Sequence, residues 1–282
     1  MVSALGYGTE GLSVGQRVFG LAGTRDGTLA EYVAAEARNL SSLPSDADFT
    51  LGASLPISGL TARQWLFVHG RVQMGQSVLE HGVAGGVGSM VRQRAREAGA
   101  YVIGTGHAAD RQTALDFSEQ EFVDFDNDSL EDVGGVNLVF NVICRGIRKR
   151  SAGLIRAGGT LVTIVGPPEA QLADGLAVDF VVEADRGQLS EAVQRVRDGR
   201  LRANIGNVAT LDDAVAALNP TERIKGKTIR GHRQPRGPRR GRTQETALPA
   251  LVTPTGAGTP QRLPAGSSFT ALRMRRRSHA RR

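Results

Sequence analysis

The chain has 282 residues, 40% of them apolar, which suits one large domain or two ordinary ones with a core. It has no apolar run long enough to span a bilayer, no signal-like N-terminus and a single cysteine, Cys144. Those features exclude a membrane-spanning helix, an intrachain disulfide and a four-cysteine zinc site, and they imply the cytoplasm by default. The formal charge of +7 is uneven: residues 232–282 carry twelve Arg, one Glu, no Asp and no Lys, leaving residues 1–231 mildly acidic. A whole-chain argument for nucleic-acid binding from basicity therefore fails.

In chain order, residues 1–53 read as short strands with Gly-rich turns, Val18–Leu21 and Leu29–Val33, with a loop at Pro44 and Asp46–Asp48. Residues 54–185 alternate strand and helix, the pattern of a parallel sheet with crossover helices. Strands are predicted near Ser77–Glu80, Ala100–Gly104, Glu121–Val123, Leu138–Val142, Thr160–Val165 and Val178–Val182. Helices are predicted near Gly86–Ala98, Asp110–Phe117 and Ile147–Ala157, the first closed by Gly99 and the last by Gly158-Gly159. Residues 186–230 read as helix Gln188–Asp198, strand Ala203–Val208, helix Leu211–Leu218 and strand Lys227–Arg230. Residues 231–282 hold six of the eleven prolines and no amphipathic period, and are expected to be disordered.

The informative motif is His81-Gly82-Val83-Ala84-Gly85-Gly86-Val87-Gly88, between a strand and a helix. That is the context of a dinucleotide-binding turn, spaced Gly82-x-x-Gly85-x-x-Gly88. Gly82 permits the tight reversal. Gly85 and Gly86 let a pyrophosphate approach the main chain, and Gly88 lets helix and strand pack closely. The N–H groups of Gly86, Val87 and Gly88 and the helix dipole then face the phosphates. The next strand ends Ile103-Gly104-Thr105-Gly106-His107, with no acid for a ribose 2′-hydroxyl. Arg111 follows, placed either to meet the 2′-phosphate of NADPH or as a solvated helix-start residue.

At these residues the chain resembles the medium-chain dehydrogenase/reductases, and among them the zinc-independent quinone oxidoreductase branch. The resemblance covers roughly residues 1–230. It rests on Val14–Gly20, Ala53–Ala62, the glycine turn, Arg156–Val162 and Lys225–Lys227. It implies an α/β fold: a Rossmann doubly wound parallel sheet inserted in a partial GroES-like β-barrel domain, followed by the disordered tail. The implied division is 1–53 partial catalytic domain, 54–185 dinucleotide-binding domain, 186–230 return segment and 231–282 tail. It also implies hydride transfer from NADPH to a quinone, enone or other activated acceptor without a metal, and a homodimer through the Rossmann edge strand. Thr61 matches a position near the nicotinamide. Thr105 and Arg111 match positions at the adenosine ribose and its 2′-phosphate. Ile164, Val165 and Gly166 match the turn facing the carboxamide, and Phe180 and Val181 the strand bordering the nicotinamide pocket. Gly104 and Lys227 are counted with the cofactor-binding residues on the same resemblance. It assigns no catalytic acid or base and no metal ligand, and His69, His81 and His107 read as surface or turn histidines.

The chain also departs from the family pattern. The match begins inside the barrel domain, so preceding strands are expected to be missing. Arg94 flanks the buried stripe Val87, Val91, Ala95, Ala98 of the helix behind the turn, beside Arg92, and Glu80 sits in a strand expected to be buried. Cys144-Arg145 replaces paired glycines, Ser118-Glu119 replaces Gly-Ala, and the pattern breaks after Ile229 as a reading-frame change would break it. Trp65 and Phe67 read as core rather than as quinone-stacking aromatics beside Tyr32. Two further readings stand beside the reductase: a cofactor-binding remnant without turnover, and an anionic-polymer contact through Arg273, Arg275–Arg277 and Arg281-Arg282. For the last, an accidental solvated tail is the weightier alternative.

Overall fold

A computed structural model describes residues 1–22, 27–117, 121–142, 150–164, 166, 172–220, 224–231 and the backbone of 269–273. Strands β1 (Val2–Leu5), β2 (Val18–Gly20), β3 (Tyr32–Glu36) and β4 (Leu40–Ser42) form small antiparallel sheets at the front of the chain. Helix α1 (Phe49–Arg63) follows and runs into a π-helical turn, Gln64–His69. Strands β5 (Ser77–His81), β6 (Tyr101–Gly106), β7 (Glu121–Asp124), β8 (Val136–Asn141), β9 (Ile155–Thr163) and β10 (Gly175–Asp179) make one sheet in the order β10-β9-β8-β5-β6-β7. Every pair in it is parallel. The order reverses between β5 and β8, as in a doubly wound Rossmann sheet, so the ligand crevice lies at the carboxyl ends of the strands there.

Alternation along the strands makes two apolar faces. Val78, Val102, Leu138, Phe140 and Val162 join Trp65, Met90 and Leu189 on one side, while Leu79, Ile103, Val139 and Leu161 form the other. Helices α2 (Gly86–Glu97) and α4 (Arg186–Arg197) pack with α1 on the first face; α3 (Arg111–Asp116) follows β6. Trp65 is a core residue, fully buried with its ring 4.3 Å from that of Phe140, and Tyr32 is exposed. Strands β11 (Ile205–Thr210) and β12 (Lys227–Gly231) pair in parallel, with α5 (Ala214–Leu218) between them in sequence.

Several expectations change. Helix α1 has small and apolar residues on all sides, so it lacks the stripe that betrays a surface helix and is read instead from its burial. Asp48 caps it, accepting from the Leu51 N–H at 2.6 Å. The expected helix Ile147–Ala157 gives way to strand at Ile155, helix being described at Arg150–Ala152. Gly158-Gly159 is therefore no helix cap: Gly158, at φ 74°, sits in an irregularity where pairing jumps from Val136↔Ile155 to Leu138↔Thr160. Strand β10 pairs with β9 from Gly175 to Asp179 and ends where β9 ends, so Phe180 and Val181 lie beyond it. Gly99 does close α2 in the left-handed conformation, at φ 77°. In the tail, the backbone of β13 (Phe269–Arg273) lies antiparallel between β1 and β3, where strand edges need hydrogen-bond partners. Ser118-Glu119, Cys144-Arg145, Val165, Arg275–Arg277 and Arg281-Arg282 lie outside the described residues. Among the described residues no helix is long and apolar enough to cross a membrane.

The carboxyl ends of the central strands carry a buried polar row. Thr105, His81, Asn141 and Thr163 are neighbours by register across β6, β5, β8 and β9, and all are fully buried. His81 is thus a core residue rather than a surface one. Its Nδ1 lies 2.8 Å from Thr105 Oγ1 and its Nε2 2.7 Å from Ser151 Oγ. Burial, and secondarily the Arg150 cation, push its pKa down from 6.5 to about 3, so it is neutral in the fold.

Arg94 is buried in the fold, and the charge is matched. Its Nη2 lies 3.1 Å from Glu191 Oε1 on α4, and the guanidinium stands over the Phe67 ring at 5.2 Å. Glu191 also receives Arg63 Nε at 3.0 Å and Arg195 Nε at 2.9 Å. The pair joins two helices that pack on the same face of the sheet.

Two stability predictions follow from these groups. Glu191→Gln should destabilise the fold by about 2 kcal/mol, between the values for surface and buried pairs, because Arg94 keeps its buried charge. Arg94→Met should cost less; chemical denaturation ranks the two, and the reverse order would contradict the pairing. For His81, the unfolded state takes up a proton below pH 6.5 that the folded state refuses until about pH 3. Stability should therefore fall as pH drops through that window, by up to about 1.4 kcal/mol per unit. In urea titrations between about pH 5 and 6.5, His81→Gln should flatten this slope.

Candidate functional site: the glycine turn at the carboxyl edge of the sheet

The turn grows out of β5. At Gly82 the backbone takes φ 88°, and the N–H groups of Gly82 and Val83 both point to Thr105 O, at 3.1 and 3.4 Å. Gly85 is the N-cap of α2; its N–H donates to Gly82 O at 3.1 Å, and its carbonyl accepts from Ser89 N–H at 3.0 Å. A Cβ on Gly88 would lie 2.6 Å from Gly82 O and 2.8 Å from Glu80 Oε1, so only glycine lets the helix sit this close to the strand. That is the role expected of Gly88. Val83, Ala84 and Gly88 are buried, whereas Gly82, Gly85, Gly86 and Val87 keep partial access to solvent.

The N–H groups of Gly86, Val87 and Gly88 open α2 and have no intrahelical acceptor, so the positive end of the helix faces this partly open surface. The carbonyls of the turn point elsewhere. Gly82 O accepts from Gly85 N–H, Val83 O from the Arg92 guanidinium, and Ala84 O from Asn204 Nδ2 at 3.0 Å and Gly226 N–H at 3.2 Å. With these carbonyls turned inward and the first N–H groups of α2 without intrahelical acceptors, the turn has the character of an anion-binding surface.

The return segment closes over one side of it. A Cβ on Gly86 would meet Lys227 Cβ at 3.1 Å and Ser58 Oγ at 3.3 Å. The bare face of Gly86 therefore admits these two side chains, where a pyrophosphate is expected from sequence. Lys227 Nζ lies 3.4 Å from Ser58 Oγ, and burial lowers the pKa of its ammonium. Lys225 Nζ donates to Ala109 O across the next crossover. The helix end and Lys227 carry donors that a pyrophosphate would need, and its approach would lie over the partly open Gly82, Gly85 and Val87 rather than the face of Gly86.

The neighbouring strand supplies the other expected residues. Gly104 lies within β6, paired with Glu80 and Phe122, and the Thr105 hydroxyl is turned to His81. Arg111 opens α3 half-exposed, its guanidinium 4.8 Å from the centre of the Phe122 ring and 3.9 Å from Asp128 Oδ2. His107 Nδ1 lies 2.9 Å from Asp126 Oδ2. Asp124 accepts from Asn127 Nδ2 and the Asp126 N–H, which hold its carboxyl below the usual range. The end of the crevice expected to hold ribose is thus mixed in charge.

The remaining expected residues are more dispersed. Thr61 is buried in α1, one turn beyond Ser58. Ile164 and Gly166 follow β9, the latter at φ 107°. Phe180 is buried with its ring 4.6 Å from that of His69, and Val181 is 76% exposed. Ser58, Arg92 and Asn204 are the residues that sequence reasoning missed at the turn. Lys225-Gly226-Lys227 was a visible signal, but nothing local marks Asn204, which lies 120 residues from its partner Ala84. A cavity of about 460 Å³, lined by Ala152, Ile155, Leu172 and Asp174 among others, lies at the start of β9, the end of the sheet opposite to the turn. Among the described residues, no group of three or more His, Cys, Asp or Glu side chains is arranged to hold a metal ion.

No protein-family model matches the chain. It is similar to a spectinabilin polyketide synthase component of Streptomyces orinoci, 34% identical over 168 residues, which are 57% of this chain and 8% of that protein. A pikromycin polyketide synthase component of Streptomyces venezuelae is 34% identical over 188 residues, 64% of this chain and 5% of that protein. The chain therefore spans a small fraction of these two relatives. The quinone oxidoreductase of Sus scrofa is 28% identical over 249 residues, 81% of this chain and 75% of that one. Among solved structures, a quinone oxidoreductase from Coxiella burnetii superposes with TM-score 0.74 at 24% identity, over 79% of this chain and 74% of the other. An alcohol dehydrogenase superfamily protein from Novosphingobium aromaticivorans gives TM-score 0.67 at 25% identity, over 77% and 75%. The parallel sheet and its glycine turn give the chain the fold of these solved structures, and its sequence is similar to quinone oxidoreductases.

Proposed function

We propose that the chain is an NADPH-dependent oxidoreductase that reduces a quinone or an activated alkene or carbonyl without a metal, in the cytoplasm. The observation that carries this reading is the turn at Gly82–Gly88: inward carbonyls, outward N–H groups and a helix end at the reversal point of a parallel sheet. When bound, the nicotinamide supplies the hydride. The residues of this chain bind the pyrophosphate at Gly85–Gly88 and meet the 2′-phosphate at Arg111. Thr61, Ile164–Gly166, Phe180 and Val181 border the nicotinamide. Positioning is their contribution.

The acceptor class is carried over from relatives. Quinone oxidoreductase is the name of the pig protein, and an enoyl reductase, CurK, is among the structures of like fold. We further propose the division 1–53, 54–185, 186–230 and 231–282, with α1 crossing the first boundary, and a homodimer through the edge strand β10. Arg94 weighs less toward a remnant without turnover, since it has a carboxylate against it in Glu191, shared with Arg63 and Arg195.

The purified chain should bind NADPH and oxidise it, followed at 340 nm, when a benzoquinone or an enone is added. Binding without oxidation by any acceptor would leave a nucleotide-binding protein; absence of binding would defeat both readings. Arg111→Ala should weaken NADPH about tenfold, the value of a charge-assisted hydrogen bond, and leave NADH unchanged. Asp128→Asn should tighten NADPH by removing a competing charge 3.9 Å from Arg111. Equal effects on the two nucleotides in titration calorimetry would remove Arg111 from the 2′-phosphate.

A further inference from the structure

From the hydrogen bonds behind the glycine turn, we infer that Asn204 and Arg92 are positioning residues that hold it in its anion-accepting form. This rests on the nucleotide-binding reading above. Consecutive carbonyls, those of Val83 and Ala84, are the ones held from behind. Arg92 Nη2 takes Val83 O while its Nη1 donates to Ala114 O at 2.6 Å, so one fully buried guanidinium ties the turn to α3. Asn204 Nδ2 and Gly226 N–H take Ala84 O from the other side.

A trans peptide places its C=O and N–H on opposite sides, so rotating a peptide plane exchanges the two. Without its rear donors, the Val83 carbonyl can turn its oxygen toward the partly open face, and the Ala84 carbonyl is held only by the Gly85 N–H in the same plane, which donates to Gly82 O. An oxygen there repels a phosphate. The rear donors therefore set affinity without touching the ligand.

Asn204 is itself fixed. Its carbonyl accepts from Lys227 N–H at 2.8 Å. Gly226, at φ 83°, has no room for a Cβ, which would lie 2.6 Å from Asn204 Oδ1. The return segment thus holds the Ala84 carbonyl through this one amide and the adjacent Gly226 N–H, which links the cofactor site to the placement of β11 and β12.

Asn204→Ala tests the inference, because Asn204 is half-buried and its truncation spares the core. Three quantities decide it: hydrogen–deuterium exchange of the 82–88 segment in the ligand-free chain, affinity for NADPH, and affinity for adenosine 2′-monophosphate, which lacks the pyrophosphate. Exchange should quicken several-fold and NADPH should weaken about tenfold, the size of one hydrogen bond. Adenosine 2′-monophosphate and the melting temperature should change little. Arg92→Lys, which keeps a donor, should fall between wild type and Asn204→Ala. Unchanged exchange would overturn the inference, as would equal weakening of both ligands with a lowered melting temperature, the mark of general destabilisation. Failure of the wild-type chain to bind NADPH would instead defeat the nucleotide reading, with the exchange measurement still deciding the role of Asn204.

Discussion

The close approach of α2 to β5 at Gly88 is the contact on which the rest of the site depends. The position a Cβ would take is already occupied, 2.6 Å from the Gly82 carbonyl and 2.8 Å from Glu80. With hydrogen in that place the helix starts directly above the strand end, and its first N–H groups meet the crevice where the strand order reverses. A side chain there would lift the helix end away from the strand. It would also part the carbonyls of Val83 and Ala84 from the donors that hold them.

The buried charges are arranged around this contact. A sheet covered on both faces leaves little water for polar groups, so each needs a partner within the protein. Arg92 and Arg94 sit on the same helix two residues apart yet answer that need differently. Arg92 turns to main-chain carbonyls of the turn and α3, while Arg94 turns to Glu191 on α4. His81 takes the neutral form between two hydroxyls. Arg92 and Arg94, which look like damage to a family pattern, become parts of the structure once their partners are in place.

The return segment gives the site its second wall. Ser58 on α1, Asn204 before β11 and Lys225–Lys227 before and within β12 come from regions far apart in sequence, and all converge on residues 84–86 or the crossover beyond them. Gly226 serves this convergence through its positive φ and through the absence of a Cβ beside Asn204. The surface proposed to take the nucleotide is therefore shared between the parallel sheet and the segment that returns from it.

Local pattern was enough for the central parallel strands β5 to β8, helix α2 and the glycine turn. Each carries its cause within a few residues: alternating apolar runs, a helical stripe, and glycines at the points of reversal and close approach. Absence of a long apolar run and the single cysteine were equally plain in the sequence, as was the break in composition after Ile229. The fates of Arg92, Arg94 and His81 were not, because their partners lie 9 to 97 residues away and pairing depends on how helices dock. Helix α1 escaped notice because its exposed row, Phe49, Ala53 and Ile57, is itself apolar, so no polar face sets its period. The Gly158-Gly159 pair was misread because two glycines end a helix or bend a strand with the same letters. The strand at 269–273 was hidden for a related reason: an isolated strand has no stability of its own, and only β1 and β3 give its backbone partners. Sequence by itself determined that this chain builds a glycine turn between a strand and a helix; tertiary structure decided which way the carbonyls of that turn point, because the groups that hold them arrive from the far side of the fold.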